Sequence, residues 1–461
     1  MIGLKQSLDE QIAVASVTAD NQFAQKIAEF CGVATNIDDG FNPRVYGGGE
    51  FCPKSEPKII AGKRVYLVAT PSPKGPYAED SGGPQDLCKR IEIAADSLYR
   101  GGKAREVCLV YPDMHYSRQD RGPDDQEEAE KAEKLGKSHV MEGEAFTAML
   151  QAKDLLGKGI IRVITKHLHS DRIFKIWGGA AMGIDEYDIK DWNDTAKAKE
   201  MEKKGREIIT ELDPAPALAH YWKNKSYLSD KIKPDGSNFV LWDPDQGTIP
   251  FGDRVQHYLA LLGWTNISRV SCDKFREVPN DPTQLKAKIK VWPEGLQLAD
   301  KYVGFADDGS DSGGTLEVNA EVMRKIKHIK KDENIGSPLG VVIHITHPWL
   351  NGMYNRDAQL RIAGIPKLKE ITVGNTWPYI EDRRIPKFKK LSTVLRFAKH
   401  FSQTILCLEQ GMDPNEYFSF ETREDIERNI PQLYDIKRSE MWRIQKKSRK
   451  TRPIRVNGSW S

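Results

Sequence analysis

The amino-acid sequence predicts an α/β protein with mainly parallel sheets flanked by helices. Short apolar runs, such as residues 106–112 and 160–165, alternate along the chain with segments of helical spacing. Strands that are separated by helices usually pair in parallel. Small and charged residues collect directly after several of the apolar runs. Because open α/β sheets bind ligands at the carboxyl ends of their strands, these clusters are the candidate functional residues.

The composition is that of a soluble globular protein: 461 residues, of which 39% are hydrophobic and 29% are charged. A net charge of +3 is too small to indicate nucleic acid as the main partner. The six cysteines form no CxxC pair, so we expect neither a zinc site nor disulfides, and a reducing, cytoplasmic location. No apolar stretch is long enough to span a bilayer and the N-terminus is unlike a secretory signal, so no membrane partner is expected.

Strands and helices follow one another in the order that parallel sheets require. The predicted strands are residues 62–70, 106–112, 160–165, 238–242, the run from Tyr302, 339–345 and 367–373. The predicted helices are residues 20–33, 87–99, 144–156, 253–262, 316–329 and 391–408.

A strand, a loop of small residues and a helix follow one another over residues 302–329, and this order makes an anion site. Free backbone N–H groups and the positive end of the helix dipole face the loop, its glycines let a phosphate approach, and Asp311 can cap the helix. Asp307 and Asp308 lie where the strand ends, and two carboxylates there suit sugar hydroxyls or a metal ion. A solvated turn is the alternative. The loop residues are Asp311, Ser312, Gly313, Gly314 and Thr315.

Two more polar groups follow predicted strands. The segment Tyr116–Arg121 carries two arginines that could clamp phosphate oxygens, although a solvated polar loop is the alternative. His167 and His169 would point to the same face if they lay on a strand, and with Asp171 they could hold a metal ion or a phosphate. A structural role is the alternative for these histidines.

Charged segments interrupt this pattern. Residues 124–137 suggest an exposed helical or mobile insertion, and residues 183–212 a charged helical excursion on the surface. From about residue 435 the chain is basic. This tail is solvated, or forms a subunit-contact arm, or binds a polyanion weakly.

Several of these motifs together resemble the ribose-phosphate diphosphokinase (phosphoribosyl pyrophosphate synthetase) family. The most specific match is Tyr116–Arg121, which is similar to the family's Tyr-Ala-Arg-Gln-Asp-Arg run. Asn21 with the helix segment 24–28, and the run Thr346-His347-Pro348, also match the family. The resemblance covers most of residues 20–420 and identifies the chain as a divergent member with insertions.

The resemblance implies two phosphoribosyltransferase-like domains of type I, each a mainly parallel sheet flanked by helices, with helical insertions and a basic C-terminal tail. The expected N-terminal domain, on the ATP side, spans residues 1–180 with an insertion near 122–140. A helical insertion at 181–212 precedes the C-terminal domain at 213–420, whose ribose-phosphate loop is 307–315, and the tail at 421–461. The family forms dimers that stack into hexamers, so a homo-oligomer is implied.

The family transfers the diphosphate of ATP to the 1-hydroxyl of ribose 5-phosphate and releases AMP, with Mg²⁺ as cofactor. The resemblance therefore implies ATP and ribose 5-phosphate as partners. By position, the implied site residues are Asp307, Asp308 and Asp311 to Thr315 for ribose phosphate; Arg118, Gln119, Asp120, Tyr46 and Glu50 for ATP; His169 and Asp245 for the metal; and Lys274, Arg276 and His169 for catalysis.

Three positions depart from the family pattern. His167 stands where the family usually has Asp, Gly48 replaces an Asp expected to contact adenine, and Thr248 replaces the second Gly of Pro-Asp-x-Gly-Gly. These departures leave three other functions open. The acceptor could be ADP-ribose in the rebuilding of NAD, or the chain could be a non-catalytic regulatory subunit, although Lys274 and Arg276 are retained. A base-joining phosphoribosyltransferase would leave the Arg-Gln-Asp-Arg run unexplained.

Overall fold

The computed structural model describes residues 8–18, 21–33, 40–71, 84–122, 130, 133, 145–184, 189–276, 285–350, 355–382 and 385–439. The chain divides into two compact units. Unit 1 comprises Met1–Pro214, Thr376–Tyr379 and Phe397–Phe420. Unit 2 comprises Ala215–Asn375, Ile380–Arg396 and the chain from Glu421 onward. The domain boundaries expected from the sequence stay a prediction.

The strands of the described ranges are numbered in chain order. They are β1 (Ile12–Ser16), β2 (Phe41–Asn42), β3 (Lys54–Ser55), β4 (Arg64–Val68), β5 (Glu106–Tyr111), β6 (Ile160–Lys166), β7 (Ile209–Leu212), β8 (Phe239–Asp243), β9 (Ser268–Arg276), β10 (Leu285–Val291), β11 (Tyr302–Gly309), β12 (Gly340–His347), β13 (Leu368–Gly374), β14 (Ser392–Arg396) and β15 (Asp435–Lys437).

The α-helices of the same ranges are numbered in the same way. They are α1 (Gln22–Cys31), α2 (Pro57–Ile60), α3 (Pro84–Asp96), α4 (Thr147–Gly157), α5 (Arg172–Ala181), α6 (Ile189–Asn193), α7 (Thr195–Ile208), α8 (Ala215–Asn224), α9 (Ile249–Leu261), α10 (Gly314–Lys330), α11 (Asn355–Ala363), α12 (Pro386–Leu391), α13 (Ala398–Glu409), α14 (Pro414–Tyr417) and α15 (Arg423–Asn429).

Unit 1 is built on a five-stranded parallel sheet in the order β1-β4-β5-β6-β7. Parallel strands are buried on both faces, so their sequences are nearly continuous apolar runs, as β4 and β5 show. Asn21 caps α1, because its side-chain oxygen accepts hydrogen bonds from the N–H groups of Phe23 and Ala24. The amide nitrogen of the same side chain donates to Thr70 Oγ1 (2.8 Å), just beyond β4, and this bond ties the helix start to the sheet.

Helices α5 and α7 touch through their backbones. A Cβ atom added at Gly178 would collide with the carbonyl group of Met201, and one added at Gly205 with the carbonyl group of Phe174. Only glycine permits so close a crossing, because any side chain would separate the helices. The charged face of α7 lies outward, while Met201 and Ile208 are buried.

Unit 2 is built on an eight-stranded mixed sheet in the order β10-β9-β8-β11-β12-β13-β14-β15. The six inner strands, β9, β8, β11, β12, β13 and β14, are parallel to one another. The two edge strands, β10 and β15, are antiparallel to their neighbours. Strand β11 lies inside the sheet between β8 and β12. Its first half is apolar and its last residues are acidic, so the sheet holds the acidic end of β11 between two other strand ends.

This architecture confirms the α/β fold predicted from the sequence, and the described strands and helices fall close to most of the predicted ones. Two expectations are wrong in part. Residues 391–408 do not form one helix, since β14 precedes α13. Residues 183–212 are not a surface excursion throughout, since Ile209–Leu212 form β7 in the core sheet.

Most of the predicted insertion at 124–137 and the basic tail beyond residue 439 lie outside the described residues. Within the described ranges, we find no helix with the length and apolar character needed to cross a membrane.

Candidate active site

The predicted phosphate loop connects two regular elements of unit 2, because β11 ends at Gly309 and α10 begins at Gly314. Ser310 fixes the start of the loop to the neighbouring strand, as its backbone N–H donates to the carbonyl oxygen of His347 (3.1 Å). The order of strand, small-residue loop and helix is therefore the one expected from the sequence.

The backbone of this loop presents hydrogen-bond donors. Within the described ranges, the N–H groups of Gly313, Thr315 and Leu316 make no hydrogen bond, as expected for the first turn of a helix. Ser312 Oγ accepts from the N–H of Gly314 (3.3 Å). Together with the dipole of the 17-residue helix α10, these donors favour a bound anion.

Asp311 does not cap α10, so that expectation is wrong. The residue before the helix is Gly313, which has left-handed backbone dihedrals (φ 73°) and offers no side chain. Asp311 is exposed. The first turn of α10 is therefore not satisfied by a carboxylate, which leaves its donors available to a ligand.

Three carboxylates lie at the ends of two adjacent strands. Asp307 is buried (4% exposed) and Asp308 is half-buried at the end of β11, and Asp245 follows β8. Burial, and then the charges of Asp308 and Asp245, raise the pKa of Asp307 well above its usual value, while the ammonium group of Lys274 opposes the shift. The Asp307 carboxyl therefore favours its protonated form more than an exposed aspartate does.

Asp245 is held in place by a short 3₁₀ turn, Gln246–Thr248. Its Oδ1 accepts from the backbone N–H of Thr248 (3.2 Å), and the Thr248 hydroxyl donates to the carbonyl oxygen of Asp245 (2.8 Å). Thr248, which departs from the family pattern, therefore closes a capping box around the acidic residue. The other carboxylate oxygen, Oδ2, receives a hydrogen bond from Lys274 Nζ (2.5 Å).

Lys274 and Arg276 lie on strand β9, which forms an antiparallel ribbon with β10. Lys274 pairs with Ala287, and Arg276 with Leu285. The backbones of both residues therefore belong to the paired strand. The side chain of Arg276 and residues 277–284, which connect the two strands, lie outside the described part of the chain.

Tyr46 and Glu50 belong to unit 1 and close a tight turn. The backbone N–H of Tyr46 donates to the carbonyl oxygen of Glu50 (3.0 Å), and Val45 pairs with Phe51. The Tyr46 ring is 52% exposed, with the Arg44 guanidinium 5.8 Å from its centroid. An exposed aromatic ring on a turn can stack on a base, which is the role that the resemblance implies.

Arg118, Gln119 and Asp120 follow β5, also in unit 1. The N–H of Gln119 donates to the carbonyl oxygen of Tyr116 (2.9 Å), Thr147 Oγ1 donates to Gln119 Oε1, and Arg172 Nε donates to the carbonyl oxygen of Asp120 (3.1 Å). The segment is thus an ordered turn that the first residues of α4 and α5 hold by hydrogen bonds. Arg118 and Gln119 remain exposed to a ligand.

His167 and His169 do not share a face, so the expectation for this pair is wrong. Strand β6 ends at Lys166, and His167 has a left-handed backbone (φ 52°). His167 is buried, whereas His169 is exposed. Alternation along a strand does not apply beyond its last residue. Of the two histidines, only His169 is exposed.

Within the described ranges, no group of three or more His, Cys, Asp and Glu side chains is arranged to hold a metal ion. His169 belongs to unit 1 and Asp245 to unit 2, so their joint role as metal ligands stays a prediction. Sequence reasoning also missed Arg361 of α11, which contacts the phosphate loop. No local pattern marks this residue, because its role depends on which helix packs beside the loop.

The chain is similar to ribose-phosphate pyrophosphokinases from Mycobacterium bovis and from two strains of Mycobacterium tuberculosis. Each is 23% identical over 387 residues, which cover 84% of this chain and 89% of the relative. No protein-family model matches the chain.

The fold is similar to the crystal structure of phosphoribosylpyrophosphate synthetase from Mycobacterium smegmatis. The TM-score is 0.58 at 19% identity, and the match covers 87% of this chain and 99% of that one. The resemblance seen in the sequence is therefore confirmed: this chain is similar to ribose-phosphate pyrophosphokinases over most of its length, and it has the fold of a phosphoribosylpyrophosphate synthetase.

Proposed function

We propose that this protein is an enzyme that transfers the diphosphate of ATP to the 1-hydroxyl of ribose 5-phosphate, giving phosphoribosyl pyrophosphate and AMP. The observation that carries the proposal lies in unit 2. There, a loop of free N–H groups, a cluster of three carboxylates and the Lys274 ammonium group occupy the ends of adjacent strands. The mycobacterial relatives, by their names, act on ribose phosphate.

The loop and the carboxylates suit the two ends of a phosphorylated sugar. The N–H groups of Gly313, Thr315 and Leu316 would bind the 5-phosphate, as helix N-termini bind anions generally. Asp307 and Asp308 come just before them on β11, and their oxygens can accept hydrogen bonds from ribose hydroxyls. A ligand with a phosphate at one end and hydroxyls at the other matches this order of donors and acceptors.

Lys274 would supply positive charge to the diphosphate as it moves. Transfer at phosphorus spreads negative charge over the equatorial oxygens, so catalysis depends on positioning and on fixed cations. The Asp245 carboxylate holds the Lys274 ammonium group near the strand ends. Arg276 and Arg118 are the further cations that we propose for this role.

The carboxylates at the ends of β8 and β11 are of the ligand type that a divalent cation takes. Magnesium prefers oxygen ligands, keeps several waters and needs one or two protein carboxylates beside substrate phosphates. Burial first, and then the charges of Asp308 and Asp245, raise the pKa of Asp307, so added positive charge at this place would favour its ionised form. We propose that Asp245, with His169, would hold Mg²⁺. When bound, the ion would neutralise charge on the phosphates of ATP.

The ATP-binding groups are proposed for unit 1. Tyr46 and Glu50 would contact the adenine, and Arg118, Gln119 and Asp120 would contact the rest of the nucleotide. The exposure of the Tyr46 ring and of the Arg118 side chain supports these roles. We further propose a cytoplasmic homo-oligomer, a dimer or a hexamer, which sedimentation analysis would distinguish from a monomer.

The experiment that tests the proposal is an AMP-release assay with ATP and Mg²⁺. It is run with ribose 5-phosphate, with ADP-ribose and without acceptor, on the wild type and on Lys274→Ala. The matched control is Lys288→Ala, which removes an exposed lysine from the adjacent strand β10. We expect AMP with ribose 5-phosphate, a loss of about 100-fold or more in Lys274→Ala, and near wild-type turnover in the control.

The other outcomes contradict the proposal in different ways. AMP formed preferentially with ADP-ribose would move the acceptor to a dinucleotide fragment. No AMP with either acceptor, from folded protein, would indicate a regulatory subunit. Full activity of Lys274→Ala would refute the role given to this lysine.

A further inference from the structure

Helix α11 lies directly against the phosphate loop. A Cβ atom added at Gly313 would lie 2.9 Å from Ile362 Cγ1 and 3.3 Å from the carbonyl oxygen of Ala358. The backbone of the loop therefore rests on the surface of α11, and the left-handed Gly313 is the residue that allows this contact.

One side chain of α11 reaches the loop and the helix that follows it. Arg361 Nη1 donates to the carbonyl oxygen of Ser312 (3.1 Å), and Arg361 Nε lies 3.2 Å from the Oε2 atom of Glu317 in the first turn of α10. A guanidinium is planar and rigid, so two contacts made by different nitrogens fix the relative position of their partners.

The bond to Ser312 has a consequence on the opposite side of the peptide. In a trans peptide unit, the carbonyl of one residue and the N–H of the next point in opposite directions. Holding the Ser312 carbonyl toward α11 therefore turns the Gly313 N–H away from α11. This N–H makes no hydrogen bond within the described ranges, and it is one of the donors assigned above to the 5-phosphate.

We propose that Arg361 is a positioning residue that orients the phosphate loop for the ribose 5-phosphate end of the substrate, an inference that rests on the proposed function. Arg361 acts through the Ser312–Gly313 peptide and need not touch the substrate. It is one-third exposed (33%), and its partner Glu317 is 55% exposed, so their ion pair alone contributes little to stability. The bond to the carbonyl is the contact that matters.

The test compares three variants at this contact with one control. Arg361→Gln removes the cation and the two-point contact, Arg361→Lys keeps the charge without the planar fork, and Glu317→Gln removes the ion pair but leaves the bond to Ser312. The control is Arg324→Gln, which removes an exposed arginine farther along α10 that pairs with Glu321.

Steady-state kinetics provides the first readout. Because the contact orders a binding loop, we expect Arg361→Gln to raise the KM for ribose 5-phosphate about 10- to 100-fold, with kcat changed less than about threefold. Arg361→Lys should recover only part of this loss. Glu317→Gln and Arg324→Gln should stay within about threefold of the wild type. An unchanged KM in Arg361→Gln, or full recovery in Arg361→Lys, would overturn the positioning role.

Hydrogen–deuterium exchange of the ligand-free protein provides a second readout that does not depend on the reaction. The N–H of Glu317 donates to the carbonyl oxygen of Gly313 (3.0 Å), so its exchange reports on the closure of the loop. We expect faster exchange across residues 310–317 in Arg361→Gln and wild-type exchange in Arg324→Gln. Equal exchange in both would overturn the inference. If the wild type does not turn over ribose 5-phosphate, the proposed function fails while the exchange data still decide the role of Arg361.

Discussion

Replacing Gly313 by alanine tests how closely the phosphate loop is built against its supporting helix. The new methyl group would meet Ile362 Cγ1 at 2.9 Å and Cδ1 at 3.2 Å, and the backbone would have to keep a φ of 73°. Ile362 is fully buried, so it has little room to move. The substitution therefore strains both the backbone and the packing.

The magnitude follows from these two contributions. A left-handed backbone costs an L-residue about 1–2 kcal/mol, and an extra methyl group in a packed core costs about 1–3 kcal/mol. We expect a total of about 2–5 kcal/mol, divided between lost stability and weaker binding of ribose 5-phosphate. Gly295→Ala is the matched control in the same unit, since Gly295 has a φ of 68° but no atom within 4 Å of an added Cβ. This control should show the backbone cost alone.

Urea unfolding and calorimetric titration with ribose 5-phosphate measure the two parts. A double-mutant cycle with Ile362→Ala then isolates the clash, because removing the obstructing atoms should relieve much of the effect of Gly313→Ala. If Gly313→Ala loses no more than Gly295→Ala in stability and keeps wild-type affinity, the described contact between loop and helix is wrong.

Three further predictions concern buried groups and close backbone contacts. Lys166 is fully buried, 4.0 Å from the centroid of the Phe397 ring and 3.2 Å from His400 Nδ1, and burial lowers its pKa to about 7. Between pH 7 and about 10.5 the unfolded chain therefore binds the proton more tightly than the folded protein, so the free energy of unfolding should rise with pH in that window. In urea unfolding, Lys166→Met should reduce this pH slope and stabilise the protein at pH 7 by about 3–5 kcal/mol. An identical slope in both proteins would contradict the assignment. Asp307→Asn should raise the thermal unfolding midpoint at pH 7 while reducing AMP release, because the ionised Asp307 opposes folding. The gain in midpoint should shrink as the pH falls toward the usual pKa range of an aspartate. A lower midpoint at pH 7 would count against the described cluster. Gly205→Ala should destabilise unit 1 by more than about 3 kcal/mol, because the new methyl group would collide with the Phe174 carbonyl. Gly157→Ala is the control and should be nearly neutral, because there is open space around its new methyl group. Equal effects of the two substitutions in urea unfolding would refute the close crossing of α5 and α7.

The phosphate loop could be predicted because its signals are local. An apolar run from Tyr302, two carboxylates and a group of small residues occur in succession, and each has a distinct conformational preference. The cap could not be predicted, since Asp311 and Gly313 are both common before helices. The structure selects Gly313 because only a residue without a side chain fits against Ile362.

Several strands were missed or misread for identifiable reasons. The four residues of β7 directly follow the charged helix α7, without a turn signal between them. Strand β10 alternates lysines with apolar residues from Lys286 to Val291, which is the period-two pattern of a strand. No strand was predicted there, although the pattern was present. In residues 391–408, a five-residue strand with four buried residues runs into an amphipathic helix, and a window of helical length averages over the boundary.

The parts of the site that depend on tertiary contacts were not available from the sequence. The bond from Lys274 to Asp245 joins β9 to the end of β8, and the bond from Arg361 to Ser312 joins α11 to the loop. Neither pair has a characteristic spacing along the chain. His167 and His169 were assigned to one face because β6 was assumed to continue, whereas the strand ends at Lys166.

The measurement that tests the central claim most directly is phosphorus NMR of the products formed from ATP and ribose 5-phosphate. Diphosphoryl transfer predicts AMP together with one new diphosphate group attached to C1 of the sugar, in equal amounts. ADP together with a singly phosphorylated sugar, or ATP consumed to the same extent without acceptor, would contradict the account. Either result would show that the loop, the carboxylate cluster and Lys274 serve a different reaction.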